Sequence, residues 1–157
     1  MAALSVLFLP VHGDAIAWCV GGYLVRMFGV TAGYHRYFSH RSYKLGRVAQ
    51  FLMAVLAQTS GQKGVLWWAA HHRDHHRHSD TPRDVHSPRE GFWWAHVGWV
   101  LSSQFIATRQ EGMKDLTRYP ELRWLDKYHI VPPTALLLLL AAIGSLLAAK
   151  APGLHTS

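Results

Sequence analysis

Two apolar stretches, each about as long as a lipid bilayer is thick, most constrain what this chain can fold into. Residues 15–34 are mostly apolar or small, and a helix of that length, rising ~1.5 Å per residue, covers roughly 30 Å. Arg26 is the one charged residue in this stretch. Residues 130–149 form the second stretch, where Pro132 and Pro133 suit the first turn of a helix. The pattern predicts an all-α integral membrane protein.

Positive charge is concentrated between these stretches. All Lys and Arg residues except Arg26 and Lys150 lie between His35 and Lys127, and the chain carries a formal net charge of +7. This distribution is typical of a membrane protein with one basic aqueous face. Because no nucleic-acid-binding motif accompanies the charge, we expect no nucleic-acid partner.

The remaining segments are interpreted as parts of one domain, residues 1–157. Residues 45–58 place apolar side chains at helical spacing and are predicted to form an interfacial or buried helix. Residues 91–105 are apolar and rich in tryptophan, which indicates a helix near the membrane surface. Residues 115–128 are polar and mixed in charge, so they are predicted to be a solvated connection.

Histidines are unusually dense between His35 and His96. His72, His75 and His76 have the spacing i, i+3 and i+4, which places three imidazoles on one face of a helix. His35 and His40 form a second group, but five residues is not a same-face spacing in an α-helix. We therefore expect the helix to end or bend between them. A solvated histidine tract would explain the first group but not the second.

The histidine groups indicate a metal site without selecting the metal, since imidazole binds iron, zinc, copper and nickel. A zinc metalloprotease would have Glu after the first histidine, where this chain has Arg73. A structural zinc finger needs cysteines, and Cys19 is the only one in the chain. Three carboxylates are candidates for orienting the imidazoles through the other ring nitrogen. They are Asp74, Asp80 and Asp84.

Two motifs carry a family resemblance. The sequences His35-Arg-Tyr-Phe-Ser-His40 and Trp67-Trp-Ala-Ala-His-His-Arg-Asp-His-His76 resemble the first two histidine boxes of the membrane fatty-acyl desaturases. The flank Gly91-Phe-Trp-Trp-Ala-His-Val-Gly-Trp99 is also similar, and the closest likeness is to bacterial members of the acyl-CoA desaturase family. The resemblance implies a partial desaturase-like helical bundle in the membrane, with the box region, residues 35–128, on the cytoplasmic side.

The resemblance also implies the chemistry. The family holds two non-haem irons and uses dioxygen, with two electrons from a ferredoxin, rubredoxin or cytochrome b5 type of carrier, to introduce a cis double bond into an acyl chain. Carried over to this sequence, the implied iron ligands are His35, His40, His72, His75 and His76. Four further histidines lie outside the box positions and remain candidates for structural or supporting roles. They are His71, His78, His86 and His96.

The resemblance further implies where an acyl chain would lie. Gln62 and Trp68 match positions near the bend of the acyl tunnel, and Tyr23 and Met27 match positions toward its closed end. Three positions that contact the CoA head group in animal enzymes differ in this chain. Those positions carry Lys63, Ala70 and His71. The expected substrate is therefore a fatty-acyl chain whose carrier, CoA or a lipid, stays open.

The family's third histidine box would lie beyond Ser157, so we expect the 157 residues alone to be inactive. Two alternatives to desaturation remain at this point. One is hydroxylation of a lipid or alkane on the same kind of diiron site. The other is a histidine-rich membrane protein that binds or transports metal, although the tryptophans beside the histidines suit an acyl chain better than an ion.

Overall fold

The computed structural model describes residues 13–79, 81–108 and 112–150. Every regular element within these ranges is helical, which confirms the predicted all-α class. The main helices are α1 (Gly13–Phe28), α2 (Arg47–Gln58), α3 (Val65–His78), α4 (Pro120–Lys127) and α5 (Val131–Lys150).

Helix α1 continues without a break into a π-helix, Gly29–Ser39. The combined element includes an apolar stretch, Ala15–Ser39, that is long enough to cross a membrane. This candidate span continues past residue 34, where we predicted it to end, and so it includes His35. The guanidinium of Arg26 lies back along its own helix against Gly22. A charged group on a long apolar stem can lie along a helix in this way while the stem stays among apolar groups.

Helix α2 packs closely against the π-helix because two glycines leave room for it. A Cβ atom on Gly29 would meet the Leu56 carbonyl oxygen and the Ala57 backbone at 3.1 Å. A Cβ on Gly33 would meet Met53 and Ala57 at 3.2 Å. Small residues four apart allow two helix backbones to approach in this way, an arrangement common among membrane helices.

The burial pattern of α2 is the reverse of a water-soluble helix. Gln50 and Gln58 are buried, whereas Val48 and Leu52 are 73% and 60% exposed. Gln58 is satisfied inside, since its amide N–H donates to the Leu125 carbonyl and its carbonyl accepts the Val65 backbone N–H. An outward apolar face and an inward polar one suit a helix whose outer surface meets lipid.

Helix α3 packs against the π-helix and α4. Its N-terminal half contributes Val65, Leu66 and Ala69 to the core, together with Tyr34 and Phe38 of the π-helix. Its C-terminal half carries the histidines. The packing of these apolar side chains therefore fixes the positions of the two histidine groups relative to each other.

The segment predicted as a helix over residues 91–105 is continuously helical over residues 92–101, and this helix ends at Ser102. The segment follows a 3-10 turn, Pro88–Glu90, and contains a short π-helix, Trp94–Gly98, then Trp99–Leu101 and a second 3-10 turn, Ser103–Phe105. Its outer side chains are strongly exposed, with Trp93 at 76% and Leu101 at 78%. This surface is apolar enough for the membrane position expected from the sequence.

The prediction of a solvated connection over residues 115–128 is wrong. A short helix, Lys114–Thr117, and α4 occupy much of this segment, and Leu116, Leu122 and Leu125 are buried in the core. The leucines of α4 recur at helical spacing and lie on one face, toward the core, while Arg123 and Lys127 are exposed. Because of the charged residues in this segment, the sequence was interpreted as a solvated connection rather than as an amphipathic helix.

Helix α5 follows α4 after a bend of 70°. Pro132 and Pro133 lie in its first turn, as predicted. The leucines that follow are largely exposed, as on a surface that faces lipid. Among the described residues, Ala15–Ser39 is the one helix long and apolar enough to span a membrane, or one of two if the bent pair α4 and α5 is a single span. The predicted span boundaries stay predictions.

Candidate metal centre

Four histidines from the two sequence groups converge at one point. The side chains of His35, His40, His72 and His76 each offer a ring nitrogen, and these nitrogens lie within 4.8 Å of one another. The His72 Nε2 atom is central, at 3.2 Å from His40 Nε2 and 3.1 Å from His76 Nε2. The π-helix with its C-cap residue His40, and α3, therefore bring their histidine ring nitrogens into the same small volume.

The π-helix explains how His35 and His40 meet. Its hydrogen bonds join residues five apart, and the backbone N–H of His40 donates to the His35 carbonyl at 3.0 Å. The two rings consequently lie one turn apart and meet edge to face, with centroids separated by 4.4 Å and planes at 61°. The helix does end between these residues, at Ser39, as expected. The wider helical turn rather than a bend brings the imidazoles together.

His75 does not join the four-histidine cluster. Along α3 each residue turns the side chain by about 100°, so His75 and His76 diverge on either side of His72. The His75 ring centroid is 6.1 Å from that of His72, and its Nδ1 faces the Asp84 carboxylate at 2.8 Å. The ring also stacks on His86 at 4.0 Å. His75 thus points toward a second, neighbouring location.

The His75, Asp84 and His86 group has the geometry of an oriented imidazole. The His75 and His86 rings are nearly parallel, at 25°, so their in-plane lone pairs do not converge as they would on a shared ion. The Asp84 side chain is fully buried and also accepts the His86 backbone N–H. A carboxylate at Nδ1 fixes the tautomer of His75 and leaves the Nε2 lone pair available to a metal.

The other two candidate carboxylates differ from Asp84. Asp74 lies 3.8 Å from His78 Nε2, so the partner seen for it is a histidine outside the boxes. Asp80 lies outside the described residues. Among the histidines outside the boxes, His71 is buried with Nδ1 2.9 Å from the Trp67 carbonyl, and His96 Nδ1 lies 2.8 Å from the Phe92 carbonyl.

Burial and neighbouring imidazoles favour the neutral form of His72, His76 and His86. Burial, and then the neighbouring histidines, lower the pKa of His72 to about 3. Burial and nearby imidazoles also lower the pKa of His76 and of His86. A neutral imidazole has the free lone pair that a metal needs.

The four-histidine cluster fits a metal ion by distance and by donor type. Imidazole–metal bonds of about 2.1 Å place adjacent nitrogens about 3.0 Å apart in an octahedron and about 3.4 Å apart in a tetrahedron. The observed nitrogen separations at His72 lie in this range. An all-imidazole set suits iron, zinc, copper or nickel rather than magnesium or calcium.

A pocket of about 410 Å³ with a mostly apolar lining adjoins the cluster. Trp67, Trp68 and Trp99 line it together with His72. Trp68 stacks on the His72 ring at 4.6 Å, and its indole N–H donates to the Gln62 side-chain carbonyl at 3.2 Å. The pocket therefore places an apolar surface directly beside a candidate ligand.

Two of the four predicted acyl-contact residues lie at this pocket and two do not. Gln62 and Trp68 line it, whereas Tyr23 and Met27 lie apart from it on α1, at 59% and 38% exposed. Tyr23 and Met27 are one helical turn apart, so they do share a face. The acyl-contact roles of all four residues stay predictions.

Two residues that support the site were not found by sequence reasoning. Asp126 of α4 accepts the backbone N–H groups of Leu66 and Trp67 and so caps the start of α3. Arg73, considered only because it is not a glutamate, joins α3 to the end of the π-helix. Asp126 gave no local signal because its partners are distant in sequence. The position of Arg73 between His72 and His75 could have indicated a supporting role for its side chain.

Comparison with known proteins decides the family. The model of the fatty acid desaturase family matches residues 15–155. The chain belongs to the fatty acid desaturase family. An icosanoyl-CoA 5-desaturase from Limnanthes douglasii is 30% identical over 148 residues, which cover 92% of this chain and 42% of that protein.

Other desaturases match over a similar region. The sn-1 stearoyl-lipid 9-desaturase of Anabaena variabilis is 36% identical over 128 residues, covering 81% of this chain and 45% of the relative. A probable acyl-CoA desaturase of Schizosaccharomyces pombe is 35% identical over 117 residues, covering 74% of this chain and 24% of the relative. The chain thus spans less than half the length of these relatives. Their names include both acyl-CoA and acyl-lipid substrates.

Proposed function

We propose that this chain supplies metal-binding histidines to a fatty-acyl desaturase. The observation that carries the proposal is the four-histidine cluster, which adjoins a tryptophan-lined pocket through the stack of Trp68 on His72. A metal-transport or storage site would have no use for an apolar pocket of this size beside its ligands. An enzyme acting on an acyl chain needs both.

The residues present would hold two non-haem irons in different ways. His35, His40, His72 and His76 would bind one ion, and His75, oriented by Asp84, would bind the other through Nε2. When bound, iron supplies the oxidising power that unactivated C–H bonds require, which no side-chain acid or base offers. In the overall reaction, a –CH2–CH2– unit, dioxygen, two electrons and two protons yield a cis –CH=CH– unit and two waters.

The protein's own part in the reaction is to bind and orient the acyl chain. The indole rings of Trp67, Trp68 and Trp99 offer apolar walls, and the hydrogen bond from Trp68 to Gln62 holds the Trp68 ring in place. An acyl chain in this pocket would exclude water from the histidine cluster and present its methylenes to it. Burial of each methylene contributes ~0.8 kcal/mol to substrate binding.

The substrate is an acyl-CoA or an acyl-lipid, since the names of the relatives include both kinds of substrate. The electrons would come from a carrier protein of the ferredoxin, rubredoxin or cytochrome b5 type. The chain would lie in the bilayer with its histidine boxes on the cytoplasmic side, where such a carrier is found. The basic segment between the apolar helices supports this orientation, because cytoplasmic segments are enriched in Lys and Arg.

Metal binding is the first test. The purified chain in detergent micelles should bind Fe²⁺, or Co²⁺ as a spectroscopic probe, and His76→Ala should weaken binding strongly. His78→Ala is the matched control, because it lies two residues away on the same helix and outside the cluster. Equal loss in both variants, or none in either, would contradict the proposed centre.

Desaturation is tested in a chimera. The matched region of the Anabaena variabilis relative is replaced by residues of this chain, and the chimera is expressed in a desaturase-deficient host. New cis double bonds, detected by gas chromatography of fatty-acid esters, support the proposal, provided that His76→Ala abolishes them. Hydroxylated chains instead of unsaturated ones would assign the sister reaction.

A further inference from the structure

The strongest unassigned feature is the guanidinium of Arg73, whose side chain is only 12% exposed and joins the two helices that carry the histidine groups. Arg73 directly follows the candidate ligand His72, and its side chain leaves α3 toward the end of the π-helix. There its Nε donates to the Ser39 carbonyl at 3.1 Å and its Nη2 donates to the Phe38 carbonyl at 2.6 Å. The next residue along that helix is His40.

These carbonyls are groups that a helix end leaves without partners inside the helix. The described backbone hydrogen bonds at this end use the carbonyls of His35, Arg36 and Tyr37. Arg73 takes the following two, Phe38 and Ser39, both of which are buried residues. A cation at a helix C-terminus is also favoured by the helix dipole.

The opposite edge of the guanidinium is held by Asp115. Nη1 and Nη2 donate to the two carboxylate oxygens at 3.0 and 2.9 Å, which is a bidentate pair. Nη1 also lies 3.2 Å from the Met113 sulfur. Burial alone would raise the pKa of the Asp115 carboxyl, but Arg73 and then Arg41 hold that pKa below its usual value. All five N–H groups of Arg73 thus have acceptors, a fork geometry that lysine does not reproduce.

We propose that Arg73 is a positioning residue that sets the distance between the first histidine group and the histidines of α3. It acts through the backbone just before His40, whose Nε2 lies 3.2 Å from His72 Nε2. The inference rests on the proposed function in so far as the positioned nitrogens bind metal. Loss of the fork would let the end of the π-helix move away from α3 and open the cluster.

The chain offers a matched control for this fork. Arg47 of α2 makes a similar bidentate pair with Glu121 of α4, at 2.7 and 2.8 Å, away from the histidines. Arg73→Lys and Arg47→Lys each keep the charge and remove a fork. Because supporting residues around a metal typically contribute 10–100-fold to affinity, Arg73→Lys should weaken Co²⁺ binding at least ~10-fold and Arg47→Lys less than ~3-fold.

A distance measurement separates this inference from the metal hypothesis. Nitroxide labels at Arg36→Cys and Arg77→Cys, both exposed positions, report the separation of the two helices in a Cys19→Ser background. Double electron–electron resonance on the metal-free chain in micelles should give a broader or longer distance with Arg73→Lys and an unchanged one with Arg47→Lys. Thermal unfolding of each variant identifies any that do not fold.

Asp115→Asn provides the second variant, since it keeps the residue's shape and loosens the fork from the other side. An intermediate broadening is expected. Unchanged distances in both Arg73→Lys and Asp115→Asn would overturn the positioning role, whether or not the parent chain binds metal. Absence of Co²⁺ binding in the parent chain, together with broadening in Arg73→Lys, would instead refute the metal centre and leave the positioning role supported.

Discussion

Replacing Asp126 with alanine tests whether α4 holds the start of the histidine-bearing helix in place. The Asp126 Oδ1 atom accepts the Leu66 and Trp67 backbone N–H groups at 3.0 and 2.8 Å, and Oδ2 accepts the Thr108 hydroxyl at 2.7 Å. Leu66 and Trp67 are 1% and 2% exposed, so water does not readily replace the carboxylate. Asp126→Ala would leave both N–H groups without their acceptor.

The magnitude follows from these contacts. Leaving a buried donor unsatisfied costs about 1–3 kcal/mol, and removal of a capping side chain costs up to about 2 kcal/mol. We expect Asp126→Ala to lower the free energy of unfolding by about 2–4 kcal/mol. Asp126→Asn keeps one carbonyl oxygen for the two N–H groups, and Thr108→Val removes one hydrogen bond. Each of these controls should cost about 1 kcal/mol.

The assay is reversible unfolding of the chain in mixed micelles, followed by tryptophan fluorescence and circular dichroism. Asp126→Ala should lower the free energy of unfolding more than either control variant does. A loss below about 0.5 kcal/mol for Asp126→Ala, the range typical of neutral surface changes, would refute the capping role. An equal loss for Asp126→Asn and Asp126→Ala would show that charge rather than the helix cap matters.

Three further outcomes are expected. The pKa of His72 is about 3 in the folded chain and 6.5 in the unfolded one. As the pH falls, the His72 imidazole is therefore protonated in the unfolded chain before it is protonated in the folded chain. Stability of the metal-free chain should therefore fall as pH decreases from about 6.5 toward 3, less steeply in His72→Gln, when unfolding is measured across that range. Gly33→Leu should cost about 1–3 kcal/mol by overpacking against α2 in the unfolding assay, whereas Gly21→Leu, which has open space, should cost little. Met27→Ala should admit longer acyl chains in the desaturase chimera if Met27 closes the tunnel, and an unchanged product-length distribution would place the tunnel end elsewhere.

The helical class and the histidine groups could be predicted because they depend on local spacing. Apolar runs and i, i+3, i+4 patterns are properties of neighbouring residues. The same local reasoning grouped His72, His75 and His76 as one set, although a helix places His75 and His76 on opposite sides of His72. The structure assigns His75 a different environment, beside Asp84 and His86.

Contacts between segments that are distant in sequence could not be predicted from local residue patterns. Arg73 reaches residues 34 and 35 positions earlier, and Asp126 reaches residues 59 and 60 positions earlier. No spacing rule connects such pairs, since the packing of the apolar core brings them together. The buried leucines of α4 were overlooked for a related reason, because eight residues show little more than two helical turns of pattern.

Because the segment Gly29–Ser39 is a π-helix, we expect the number of residues in it to be nearly constant among natural variants. Removing one residue there would allow regular α-helical hydrogen bonding, so the altered chain would still form a long apolar helix. Yet His40 would rotate away from His35, and the ring nitrogens of the four-histidine cluster would no longer converge. Insertions and deletions in this segment should therefore be much rarer among functional variants than substitutions of its outward side chains.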